Sequence, residues 1–125
     1  MDQALLMVAH NNENEFDLQE TIEELENLAY ACEIETMDVI TQHLKKKTNA
    51  TYIGSGKVEE LKMAVEAQEA SLVVFNVGLS PSQIRNLEEQ LNCVVVDKNM
   101  LVLEIFSRRA ETPEARAQVE IAQLK

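Results

Sequence analysis

Four short apolar runs, each followed by a stretch whose apolar residues recur at helical spacing, constrain this chain more than any other feature. The runs are Ala4-Leu5-Leu6-Met7-Val8-Ala9, a second from about Ile34 to Thr41, Leu72-Val73-Val74-Phe75, and Cys93-Val94-Val95-Val96 closed by Asp97. The first is continuous rather than alternating, as suits a central strand covered on both faces. A strand–helix alternation repeated in this way predicts an α/β domain, a parallel four-stranded sheet flanked by helices.

The helical stretches carry their own signals. From Asp17 to Cys32 the positions Leu18, Ile22, Leu25, Ala29 and Cys32 make one apolar face. Val58, Leu61, Ala64 and Val65 make another after Lys57. Ser80, Pro81 and Gln83 form a capping signature before the stripe Ile84, Leu87 and Leu91. Met100 to Arg108 reads as a helix burying Leu101 or Val102 with Ile105 and Phe106. Thr112-Pro113 opens a last helix with Ala115, Val119, Ala122, Ile121 and Leu124 on its apolar side, and no stop signal precedes Lys125. The expected division is an α/β domain over 1–110 and the start of a helical subdomain over 111–125. The unterminated helix suggests a piece of a longer protein. Its stripe, lacking cover, is expected to fray or to drive self-association into a homo-oligomer.

The 125 residues suit one domain, and an aromatic share of 4% leaves aliphatic side chains to fill the core. No apolar run approaches the ~20 residues that cross a bilayer. Asp2 also stands where a signal peptide would be basic. With Cys32 and Cys93 far apart in apolar surroundings, two buried, reduced thiols and a cytoplasmic location are expected, without membrane insertion. The net charge of -11 is unevenly spread: residues 1–42 hold eleven acids and no Lys or Arg. Such a balance opposes nonspecific DNA binding but permits a local basic edge.

Gly54-Ser55-Gly56-Lys57 resembles a phosphate loop and fails its spacing. Thr51 stands where the first glycine is needed, and Val58 where a hydroxyl would ligate Mg²⁺. A dinucleotide fingerprint fails at Glu59. Two readings stay open, an anion site at a helix N-terminus and a tight turn requiring positive φ. A phosphoacceptor regulator is excluded, since His10-Asn11-Asn12 and Asn76 occupy the places of its acids. His10 and His43 are read as loop or edge residues and not as a metal site, and no nucleophilic triad is suggested. Arg108-Arg109, with Arg116, could face RNA or simply solvent, and Lys45-Lys46-Lys47 reads as a solubilising connection.

Three blocks together resemble the N-terminal domain of the HflX family of ribosome-associated GTPases. They are Thr51 to Leu61, Leu79 to Glu88, and Asp97 to Ala110 with the tail Gln118 to Leu124. The resemblance implies an α/β domain, then a helical hairpin, then a GTPase domain. It further implies GTP binding and hydrolysis, binding to the large ribosomal subunit and its rRNA, and splitting of stalled ribosomes. Asn76 and Gly78 depart from acids common there, Lys98-Asn99 from an Arg-Thr, and Ala115 from a Gly. No guanine-nucleotide motif is present in the 125 residues, so GTP and Mg²⁺ belong to the missing GTPase domain and this chain alone should be inactive. No cofactor of its own is expected. Its expected partners are the large subunit and its own helical and GTPase domains. Candidate RNA- or nucleotide-binding residues are Gly54, Ser55, Gly56, Lys57, Arg85, Arg108 and Arg109. The rival expectation is a regulatory domain that holds ATP on the Gly54–Lys57 turn.

Overall fold

In the computed structural model, which describes residues 2–10, 15–43 and 50–109, every expected strand and helix of that span forms. The elements run β1 (Asp2–His10), α1 (Glu15–Ala31), β2 (Ile34–His43), α2 (Ser55–Gln68), β3 (Leu72–Phe75), α3 (Pro81–Leu91), β4 (Val94–Asp97) and α4 (Lys98–Arg109). The final helix expected from Pro113 and the Lys45–Lys47 connection lie outside the described residues.

The strands make one sheet in the order β2-β1-β3-β4, and every pairing is parallel. The continuous apolar run of β1 follows from this position. It pairs on both sides, and its residues Ala4 to Ala9 are all buried. Leu5, Met7, Val73 and Phe75 point to the layer of α2 and α3. Ala4, Leu6, Val8 and Val74 point to that of α1 and α4. Each fully buried aliphatic side chain contributes about 1.5–3 kcal/mol, so this central pair of strands dominates the stability.

The helix ends follow local chemistry. Ser80 accepts from the Gln83 N–H at 3.1 Å, and the Gln83 side chain accepts from the Ser80 N–H at 2.9 Å, the reciprocal cap expected from the sequence. Glu69 and Asn92 end α2 and α3 in the left-handed conformation. In α4 the buried residue is Leu101, with Ile105 half-buried beside it. Phe106, expected inside, is 55% exposed. It lies one step, or about 100°, around the helix from Ile105, and so stands at the rim of an open groove shared with Leu28 of α1 rather than in the core. Both cysteines are free thiols, Cys32 buried and Cys93 only partly so. No helix among the described residues is long and apolar enough to cross a membrane.

Candidate functional site

The direction of the chain changes between β1 and β3. From β1 it proceeds to β2 on one side, and from β3 to β4 on the other, with α1 and α3 on opposite faces. In sheets of this kind the crevice beyond the carboxyl ends of those two strands is the usual ligand site. Among the described residues a side chain bridges the two strands there. The Asn76 amide accepts from the Ala9 N–H at 2.8 Å and donates to the Ala9 carbonyl at 2.9 Å, continuing the β1–β3 ladder beyond its last backbone pair. The space left among Thr21, Glu24, Leu25, Asn76 and Lys98 is about 20 Å³. That holds a water and no nucleotide. Lys98 is meanwhile committed to Glu24 at 2.7 Å.

At the neighbouring carboxyl ends, the register sets His10 opposite His43, with ring centroids 5.3 Å apart and the rings edge to face. The buried Nδ1 of His10 has no hydrogen-bond partner. The approach was not foreseen from sequence, because it depends on how β1 and β2 register. No group of three or more metal-ligating side chains gathers among the described residues.

The Gly54–Lys57 turn is held from behind. Ile53 is fully buried in the α2–α3 core, the Thr51 hydroxyl donates to the Ile53 carbonyl at 2.6 Å, and the Asn86 amide of α3 donates to the Ala50 carbonyl at 3.0 Å. Gly54 is the N-cap of α2, at φ -69° and ψ 159°, and can offer no capping side chain. Exposed Ser55 and Gly56 therefore open the helix with bare N–H groups. Neither Gly54 nor Gly56 has positive φ, which corrects the tight-turn reading; the left-handed residue is Tyr52, at φ 67°. A Cβ built on Gly54 or Gly56 would meet nothing within 4 Å. Lys57 reaches Glu60 at 3.1 Å, a local ion pair on the surface of α2.

The other candidates fall elsewhere. Arg85 is exposed on α3, on the same face of the sheet as α2, and forms no ion pair among the described residues. Arg108 belongs to the opposite face. Its guanidinium donates to the Cys32 carbonyl at 3.2 Å, just past the end of α1, and pairs with Glu104 and Glu33 at 3.2 and 3.5 Å. Partial burial works against its charge, yet the hydrogen bonds and charges of Glu33 and Glu104 leave its pKa raised. Arg108 thus straps α4 to α1. The side chain of Arg109, together with Arg116, lies outside the described residues. Among the described residues the candidates form no single patch: the α2 turn and Arg85 share one face of the sheet, and Arg108 belongs to the other.

Asp97 is the polar residue whose role the sequence understated. It is 3% exposed, and its carboxylate accepts from the Leu79 N–H at 2.8 Å and the Met100 N–H at 3.0 Å. One side chain so caps α4 and fixes the loop that leads into α3. An Asp directly before a helix was the available signal.

A family model described as GTP-binding GTPase N-terminal matches residues 19–107. A GTPase HflX of Caldanaerobacter subterraneus subsp. tengcongensis is 48% identical over 107 residues, 86% of this chain and 25% of that protein. One from Alkalihalophilus pseudofirmus is 39% identical over 125 residues, the whole of this chain and 30% of that protein. One from Escherichia coli is 42% identical over 106 residues, 85% of this chain and 25% of its own. The chain thus spans between a quarter and a third of these relatives. Among solved structures, a GTP-binding protein from the archaeon Sulfolobus solfataricus in complex with GDP is similar, with a TM-score of 0.67 at 27% identity, over 99% of this chain and 36% of that one.

Proposed function

The chain belongs to the HflX family of GTPases, as the N-terminal domain, and from that premise we propose that it docks its parent protein on the large ribosomal subunit through rRNA. The parent is read as a cytoplasmic enzyme that hydrolyses GTP and splits stalled ribosomes. The observation that best supports a docking surface is the opening of α2, where Gly54 offers no capping side chain and the first N–H groups stand exposed. The proposed contact surface is the α2–α3 face, where the N–H groups of Ser55 and Gly56 and the exposed Arg85 suit phosphate oxygens.

GTP and Mg²⁺ do not fit the residues of this chain. Val58, at the position of the metal-binding hydroxyl, is buried in the core, and the Lys57 ammonium is held by Glu60. With the hydroxyl missing and the ammonium engaged, neither the metal nor the γ-phosphate can be positioned on this turn, and the isolated chain should turn over no GTP. The 111–125 segment is proposed to begin the helical subdomain that joins this domain to the GTPase domain.

Sedimentation of the parent protein with purified large subunits over a salt series tests the reading. Arg85→Glu should weaken binding and flatten its salt dependence by about one phosphate contact or more. Lys57→Ala should have a similar, smaller effect. A parent that fails to co-sediment even at low salt would sink the proposal. The second reading, ATP on the α2 turn, is favoured by the open space over Gly54 and Gly56. Saturable amide shifts at Gly54, Ser55 and Gly56 on titration with a non-hydrolysable ATP analogue, with ribosome affinity unchanged in Lys57→Ala, would decide for it.

A further inference from the structure

Carboxylates blunt both open edges of the sheet, but not along their whole length. β2 pairs with β1 alone and β4 with β3 alone, so each turns the N–H and C=O of alternate residues outward. On β4 the Glu88 carboxylate accepts from the Val95 N–H at 3.1 Å. On β2 the Asp38 carboxylate accepts from the Val39 N–H at 2.8 Å, next to a register shift opposite Ala4 and Leu5. Edges so occupied are poor templates for a further strand. The start of β2 is different. Among the described residues no side chain bonds to the backbone of Ile34, Glu35 or Thr36.

Beside that open stretch lies a groove of about 560 Å³, lined by Glu26, Asn27 and Tyr30 of α1 and by Ile34, Glu35 and Thr36. Tyr30 is 74% exposed, so its ring is free to be covered. The nearby Glu33 is engaged by Arg108, whereas Glu26 and Glu35 form no ion pair among the described residues. An aromatic face beside unpaired carboxylates suits a guanidinium, which stacks on the one and forks to the other. The wider field has the same sign, since residues 1–42 carry eleven acids and no Lys or Arg. That field repels nucleic acid. It also opposes a second copy, whose own β2 would set Glu35 and Asp38 against the same acids.

We propose that residues 34–36 of β2 accept an extended, arginine-bearing segment of another protein as an added strand, and that the groove seats one of its arginines against Tyr30, Glu26 and Glu35. Main-chain pairing supplies the affinity of such a contact, and the groove its specificity. The surface lies away from the α2–α3 face, so it stands apart from the rRNA reading.

Fluorescence anisotropy on the whole chain tests this with a labelled nonapeptide of alternating threonine and arginine. Two further peptides carry N-methyl groups on every threonine or on every arginine, which blocks opposite edges of the added strand and keeps every charge. The unmodified peptide should bind saturably, with amide shifts centred on Ile34, Glu35 and Thr36. One N-methylated peptide should bind at least about tenfold more weakly than the other, because only one of them loses the hydrogen bonds to β2. Tyr30→Ala and Glu35→Lys, both at exposed positions, should each weaken the unmodified peptide by about fivefold or more. Equal affinity for the two N-methylated peptides, or affinity that survives either substitution, overturns the proposal, for the attraction is then only that of an acidic surface. Absence of binding at millimolar peptide overturns it as well. So does a dimer of the unaltered chain that pairs through the same amides, since the occupant is then a second copy.

Discussion

Asp97 is worth more to this fold than its single charge suggests. Its carboxylate is the acceptor for two N–H groups, on Leu79 and Met100, in a place that water does not reach. Removing it leaves both donors unsatisfied, at about 1–3 kcal/mol each. Asp97→Ala should therefore lower stability by about 2–5 kcal/mol in urea titrations. Asp97→Asn, which keeps one acceptor, should lose clearly less; equal losses would mean that the charge and not the hydrogen bonds matters. The two thiols give a second test at this scale. Burial pushes the Cys32 thiol up, opposed by the charge of Arg108 and aided by Glu104, and burial followed by Glu88 pushes up Cys93. Below the ordinary thiol value of 9.0 both folded and unfolded chains keep these protons, so stability is unaffected. Above it the unfolded chain ionises first and the fold loses stability until the raised folded pKa is passed. A Cys32→Ala, Cys93→Ala variant should lose less stability than the unaltered chain as the pH rises through and above 9.0. Parallel pH profiles would show the thiols to be unperturbed.

At the scale of elements, glycine and left-handed backbone are mismatched. Glu33, Tyr52, Glu69 and Asn92 have positive φ, and no glycine among the described residues does. At the end of α2, Glu69 sits at φ 54° with its N–H bonded to the Val65 carbonyl, a conformation that costs a side chain about 1–2 kcal/mol. Glu69→Gly removes that strain and adds backbone entropy to the unfolded chain, for a net gain of about 0.5–1 kcal/mol. At the other end, Gly56→Ala adds a methyl in open space within the first helical turn and should gain as much again. Thermal melts will read both changes, and a loss in either would contradict the backbone reading. This mismatch explains what was legible in the sequence and what was not. Strand runs, helical stripes and the Ser80–Gln83 cap are local patterns, and they transferred to β1, β3 and α3 with little change. The sign of φ at Tyr52 or Glu69 is set by tertiary fit, with no residue type to announce it. In α4, apolar residues at 100–103, 105 and 106 leave several faces open, and only packing on α1 selects Leu101. Asn76, His10 and His43 acquire their neighbours from strand order and register, which spacing along one chain does not contain.

For the molecule as a whole, charge balance sets how stability answers to salt. Eleven acids and no Lys or Arg occupy residues 1–42, and the chain carries a net charge of -11. The cations Lys98 and Arg108 cross from α4 to meet Glu24 and Glu33, so part of this field is neutralised within the fold. Those pairs are partly exposed, and such contacts contribute little and weaken when salt is added. Repulsion among the remaining acids weakens too. It acts over many pairs at distances near the Debye length, which falls from about 30 Å at 0.01 M to about 8 Å at 0.15 M. Since unpaired acids far outnumber the two cross-helix pairs, the relief of repulsion is the larger effect. The melting temperature should therefore rise by a few degrees between about 10 and 200 mM sodium chloride near neutral pH, with most of the gain below about 100 mM. Lys98→Gln should sharpen the dependence, because it leaves Glu24 without its 2.7 Å partner. A melting temperature that falls with salt would mean that the ion pairs outweigh the acidic flank. It would also place the acids of residues 1–42 farther apart than their density in the sequence implies.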